Sequence, residues 1–222
     1  MSVVQNIASI REHIPAHVKL VCVSKFHPDS TIIEAYNAGE RIFGESRVQE
    51  LVEKQERLPK DIHWHFIGHL QTNKVKYIVP FVELIHGVDS LKLLSEINKQ
   101  AEKINRVVNC LLQVHIATEE TKFGFSAAEV LDLYQNKALS NLSFIKVCGL
   151  MGMATFTDNY PQVRKEFISL KSLYDTVKRD YTAQNDHFSE ISMGMSDDFQ
   201  IAIEEGSTMV RIGSSIFGQR VY

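Results

Sequence analysis

From residue 19 to residue 212 one pattern recurs: a short apolar or β-branched run, a loop residue, then apolar residues spaced as on one face of a helix. The runs are 19–24, 41–43, 62–67, 83–88, 107–114, 144–150, 188–192 and 208–212. Between them, Ile32, Ile33 and Tyr36 trace a helix that Gly39 stops. Val48, Leu51, Val52 and Gln55 trace another, ending near Pro59. Gly44 and Gly68 read as the ends of the second and third strands, and a short helical stretch spans 72–78. Asp89 or Ser90 caps a helix carrying Leu91, Leu94, Ile97, Ala101 and Ile104. Ser126 and Glu129 form a capping box ahead of Val130 and Leu133. Val163, Phe167, Leu170, Tyr174, Val177 and Tyr181 trace the clearest amphipathic helix, and 197–205 a shorter one. Strands alternating with helices imply parallel pairing through crossover helices. Eight such units imply an α/β fold, a (β/α)8 TIM-type barrel with an extra N-terminal helix. Spread over eight units, 222 residues leave about 28 each, which suffices for a compact barrel and leaves no second domain. The expectation is therefore one barrel domain over residues 1–222. The alternative is an open doubly wound sheet with fewer strands.

Composition excludes several function classes. Lys+Arg 24 against Asp+Glu 27 gives a net charge of -3, without the basic excess of a nucleic-acid binder. Hydrophobic content of 44% is too high for disorder, and no apolar run approaches the ~18 residues of a membrane span. Residues 1–13 carry Arg11 and Glu12 and read as a helix, not a signal peptide. Cys22, Cys110 and Cys148 are widely spaced and odd in number, which argues against a disulfide framework and for buried strand residues. A cytoplasmic monomer is expected, with no membrane or nucleic-acid partner.

In a barrel of this kind, chemistry sits at the C-terminal strand ends, and phosphate is commonly held after strands seven and eight. Val21, Val23 and Lys25 share one face of the first strand, so Lys25 caps an apolar stack at the mouth. Desolvation there lowers a lysine's pKa, and a neutral amine can attack a carbonyl. A solvated lysine at a strand exit is the plainer alternative. Ser196 follows strand seven, and Gly213 and Ser214 follow strand eight; glycine admits close backbone approach, and open amides at a helix start bind anions. An ordinary turn is the competing reading. Asp197 and Asp198 would oppose an anion at the adjacent helix, which puts most of the electrostatics on Gly213 and Ser214. Arg211 stands between Val210 and Ile212, where an unpaired charge is costly. His63, His65 and His69 surround Trp64, but no cysteine or acidic cluster completes a metal set, so packing and hydrogen bonding are expected of them.

Five segments carry a resemblance: V-S-K-F-H-P from Val23, F-G-E-S-R-V-Q-E from Phe43, W-H-F-I-G-H-L-Q-T-N-K from Trp64, S-M-G-M-S-D-D-F from Ser192 and G-S-T-M-V-R-I-G-S-S-I-F-G from Gly206. The chain resembles the pyridoxal 5′-phosphate (PLP) homeostasis proteins over essentially its whole length. The resemblance implies a barrel like the N-terminal domain of alanine racemase, with PLP bound as a covalent aldimine (Schiff base) to Lys25. It also implies that Ser196, Gly213 and Ser214 line the phosphate and that Arg211 faces the pyridine nitrogen. Ser46 stands where the family usually has Asn near the cofactor ring, and Ser214 where it often has Thr.

Three functions compete. The first is a PLP holder in vitamin B6 homeostasis, without robust catalysis, whose recipients are apo PLP-dependent enzymes. The second is a small PLP-dependent racemase. Racemisation needs proton donors on both faces of the substrate, and Tyr36, Tyr134, Tyr160, Tyr174 and Tyr181 all map to helices or their entries. The third is a PLP-free isomerase or aldolase using Lys25. The resemblance favours the first, as does the expected lack of the C-terminal β-domain with which alanine racemases complete their site.

Overall fold

The computed structural model describes residues 2–118 and 123–218. Eight parallel strands close in chain order, the first pairing with the last: β1 (Lys19–Val23), β2 (Ile42–Glu45), β3 (His63–Phe66), β4 (Leu84–Val88), β5 (Val108–Val114), β6 (Ile145–Gly152), β7 (Glu190–Ser192) and β8 (Met209–Ile212). The barrel reading holds, and the open sheet does not. Helices α1 (Val3–Arg11), α2 (Asp29–Asn37), α3 (Val48–Arg57), α4 (Val75–Ile78), α5 (Leu91–Lys103), α6 (Ala127–Gln135), α7 (Tyr160–Asp180), α8 (Phe199–Glu204) and α9 (Ser214–Phe217) alternate with them. A 3-10 turn, Thr72–Lys74, leads into α4. No described helix is long and apolar enough to cross a membrane.

Period-two alternation divides the core. Leu20 and Cys22 face the helices within one continuous outer layer. Each fully buried Leu, Ile or Phe of that layer contributes about 1.5–3 kcal/mol. Val21 instead joins Leu84, Leu111, Cys148, Met151 and Met209 in a second, interior cluster. Cys22, Cys110 and Cys148 are free thiols buried in strands. The extra helix α1 carries the capping box Ser2–Gln5 and lies against α2 and α9. There the Asn6 amide donates to the Ile216 carbonyl at 2.8 Å.

Gly44 does not end β2. It lies inside the strand, where an added Cβ would stand 2.9 Å from Val21 Cγ1. At Gly149 the chain has φ 155°, and an added Cβ would stand 1.8 Å from the Glu190 carbonyl oxygen. Glycine here lets β7 dock beside β6, next to a register shift between Cys110 and Leu111 of β5. Pairing with β5 carries β6 two residues past its expected end, to Gly152, which matters because its carbonyl reaches the site.

Candidate functional site

The C-terminal strand ends surround a cavity of about 240 Å³. Lys25, Ser196, Arg211, Gly213 and Ser214 all line it, with Val23, Ile67 and Met153 as apolar wall and His27, Phe156, Met195, Asp197 and Gly218 completing it. Ser46 does not line it. Ser46 follows β2, and its backbone lies so close to Gly68 that a Cβ there would stand 2.3 Å from the Ser46 carbonyl oxygen.

Lys25 is half-buried two residues past β1, where the Val21–Val23–Lys25 alternation places it. Its loop is held tightly. Phe26 adopts φ 66°, unusual for a residue with a Cβ. Its amide donates to Glu50 Oε1 at 2.7 Å, and the Arg47 guanidinium lies 4.4 Å over its ring. On the other side of Lys25, Lys54 from α3 donates to the Ser24 carbonyl at 2.8 Å, to Glu45 Oε1 at 2.8 Å and to Glu50 Oε1 at 2.7 Å. Ser24 Oγ donates to the same Glu45 oxygen at 2.6 Å. Glu45 is fully buried and its Oε2 has no hydrogen-bond partner among the described residues. Burial pushes its carboxyl up to about 7, against the opposing pull of Lys54.

Arg211 is 4% exposed. Its Nη1 donates to the carbonyl (2.8 Å) and hydroxyl (2.6 Å) of Ser192, and its Nη2 to the Gly152 carbonyl at 3.1 Å. The charge is thus solvated by oxygen dipoles, not by a carboxylate. Burial lowers its pKa to about 10, with Asp198 pulling the other way, so it stays protonated at neutral pH. Asp198 turns into its own loop: its Oδ1 accepts from the Met195 amide at 2.6 Å, and burial raises its pKa. Asp198 therefore does not line the cavity, whereas Asp197 does.

Gly213 and Ser214 line the cavity from the loop after β8. The Gly213 amide donates to Ser196 Oγ at 3.4 Å, tying the loops after β7 and β8 together. A Cβ at Gly213 would stand 3.1 Å from the Val23 carbonyl oxygen, so the bare backbone is what fits beside β1. Helix α9 starts at Ser214, and the first amides of a helical turn have no partner within the helix. Among the described residues, no tyrosine or cysteine lines the cavity; Tyr160 lines an adjoining one.

The family model for the alanine racemase N-terminal domain matches residues 2–221. A pyridoxal phosphate homeostasis protein of Aquifex aeolicus (strain VF5) is 44% identical over 205 residues, covering 92% of this chain and 88% of that one. This chain belongs to the pyridoxal phosphate homeostasis family. Another such protein, from Schizosaccharomyces pombe, is 38% identical over 92% of this chain and 85% of its own. The PipY structures of Synechococcus elongatus PCC7942 superpose at TM-score 0.91 without PLP and 0.88 with PLP bound. Their identities are 34% and 33%, with 98% of this chain and 100% of PipY covered in each case. An alanine racemase of Clostridium difficile 630, at 14% identity and TM-score 0.79, shares the fold; 56% of its length is covered.

For this member of the family, sequence reading missed the layer behind the site. Lys54 is 3% exposed, although a helical lysine reads as solvated. The signal was its place on the face of Leu51 and Leu58. His86 is fully buried inside β4, and period two with Leu84 points it into the barrel.

Proposed function

We propose that this chain binds PLP in the Lys25 cavity and holds it, as a Schiff base on Lys25, for intracellular PLP homeostasis. One observation carries the reading: an amine, a buried guanidinium and a glycine–serine cradle converge on one cavity of about 240 Å³. Their chemistry fits the three polar ends of PLP. Lys25 offers the amine for the aldehyde; Ser196, Gly213 and Ser214 offer hydroxyls and backbone for the phosphate; Arg211 offers a donor to the ring nitrogen. The family's name and the PLP-bound PipY structure support the same ligand. We read residues 1–222 as one PLP-binding domain with apo PLP-dependent enzymes as recipients.

Bound PLP supplies an electron sink for amino groups it carries. The residues here restrain that chemistry. Arg211 has donors only, so it holds a proton toward the ring nitrogen and none is left on it. An unprotonated ring is the weaker sink. Lys25 serves one face of the site, and among the described residues no lining tyrosine or cysteine serves the other. The arrangement suits holding more than turnover.

The test is a PLP titration of the purified protein followed by visible absorption, with an assay for interconversion of amino-acid enantiomers. A new band that saturates near one PLP per chain, with negligible racemisation, is expected. A protein that gains no band refutes PLP binding. Racemisation at enzyme-like rates, lost in Lys25→Ala, refutes the holding role.

A further inference from the structure

Arg211 does not end at Ser192. His86 Nδ1 lies 3.0 Å from Ser192 Oγ, and His86 Nε2 lies 3.0 Å from His65 Nδ1. His65 in turn lines a second cavity, of about 300 Å³, at the opposite end of the barrel, with Lys19, Glu190 and Asn109. A hydrogen-bonded line therefore crosses the barrel interior from the Lys25 cavity to the far cavity. Ser192, His86 and His65 are each at most 4% exposed.

The direction of the line follows from its first donor. Arg211 can only donate, so Ser192 Oγ accepts from it. A hydroxyl can accept twice, but the buried Ser192 proton also needs an acceptor, and among the described residues His86 Nδ1, at 3.0 Å, is the one within reach. That nitrogen carries no proton, so the His86 proton sits on Nε2 and is donated to His65 Nδ1. The His65 proton is left on Nε2. One buried cation thus fixes the tautomers of two histidines. Both are held neutral: burial is the leading cause, and Arg211 adds to it at His86, Lys19 and His63 at His65.

We propose that Ser192, His86 and His65 are positioning residues: a one-way hydrogen-bond line that fixes the pose of Arg211 toward the PLP ring. The functional half of this rests on the PLP-binding reading above; the line itself does not. A neutral histidine behind Ser192 orients its hydroxyl away from Arg211, which leaves the oxygen lone pair aimed at the guanidinium. A protonated or reversed His86 would spoil that orientation.

Two measurements test it. In the uniformly 15N-labelled wild type, long-range proton–nitrogen correlation spectra should show both His65 and His86 as Nε2–H tautomers; an Nδ1–H tautomer at His86 overturns the line. In His86→Leu, the PLP dissociation constant should rise about tenfold, the size expected for one weakened hydrogen bond of a charged group, with a shifted band of bound PLP. A folded His86→Leu protein with unchanged affinity and band overturns the positioning role. If His86→Leu does not fold, Ser192→Ala, which removes only an oxygen, takes its place with the same criteria. If the wild type binds no PLP, the reading of function fails, while the tautomers still decide the line.

Discussion

Lys54 Nζ donates to the carbonyl oxygen of Ser24 across 2.8 Å. That carbonyl belongs to the residue immediately before Lys25, so a buried ammonium on α3 grips the chain that presents the Lys25 amine to the cavity. The same ammonium holds Glu45 and Glu50, and Glu50 takes the Phe26 amide on the far side of Lys25. Lys25 is thus clamped from both neighbours while its side chain lines the cavity.

Lys54→Met should loosen that clamp. Removing one partner of a buried pair costs about 3–5 kcal/mol when the other stays charged. Glu45 already sits at about 7 and will take a proton instead, so the expected loss is smaller, about 2–3 kcal/mol. Urea denaturation at pH 7 measures it. Adding Glu45→Gln should recover part of the loss, and a fully additive double variant would argue against the coupling.

The pH dependence has a definite sign. Unfolded, His65 and His86 take up protons below about 6.5, whereas folded His65 resists down to about 3 and His86 lies well below its ordinary value. Their stabilisation is present above 6.5 and is lost as pH falls. Glu45 acts oppositely: between 4.5 and about 7 it holds a proton folded that it lacks unfolded. Just below pH 6.5 His65 and Glu45 offset each other, and the downward shift of His86 leaves the unfolded chain with the excess of protons, so acidification should destabilise the wild type. Glu45→Gln should steepen the loss by about 1.4 kcal/mol per pH unit between 6.5 and 4.5. Parallel profiles for the two proteins would show that Glu45 does not titrate there.

Gly149→Ala should be among the most damaging small substitutions in the chain. Its Cβ would meet three backbone atoms of Glu190 at 3.0 Å or less, and the φ of 155° disfavours any side chain. A loss of about 3 kcal/mol or more is expected from overpacking plus backbone strain. Gly39→Ala is the control: φ is 105° but nothing lies within 4 Å, so strain alone, about 1 kcal/mol, applies. Equal midpoints in thermal denaturation would contradict the role given to the β6–β7 contact.

Arg211→Ala should weaken PLP binding at least tenfold and also cost about 1–3 kcal/mol of stability, because the Ser192 and Gly152 carbonyls lose their donor. Arg211→Lys retains the charge but not the fork geometry, and should recover more stability than affinity. Titration calorimetry and thermal melts on the two variants separate the effects.

Much of this was legible in the chain. The barrel followed from period-two runs alternating with helical ones, and Arg211 stood out because a charge inside V-R-I demands partners. Lys25 followed from alternation with Val21 and Val23. The residues that hold these two were harder. Glu45 and Lys54 come from different elements, and their contact depends on how α3 folds back over β2. Ser192 and His86 are 106 residues apart, and only barrel closure brings β7 opposite β4. The family resemblance put Ser46 near the ring, yet the backbone after β2 packs on Gly68 instead of lining the cavity. Gly44 read as a strand end because glycine usually punctuates; here it is interior because the Val21 side chain fills the space a Cβ would need.

The most direct measurement is chemical trapping. The protein is incubated with PLP, reduced with borohydride, digested and analysed by mass spectrometry. A single phosphopyridoxyl adduct on the peptide containing Lys25, absent from Lys25→Ala, is the predicted result. An unmodified Lys25 peptide, or an adduct that persists elsewhere with equal yield in Lys25→Ala, would contradict it.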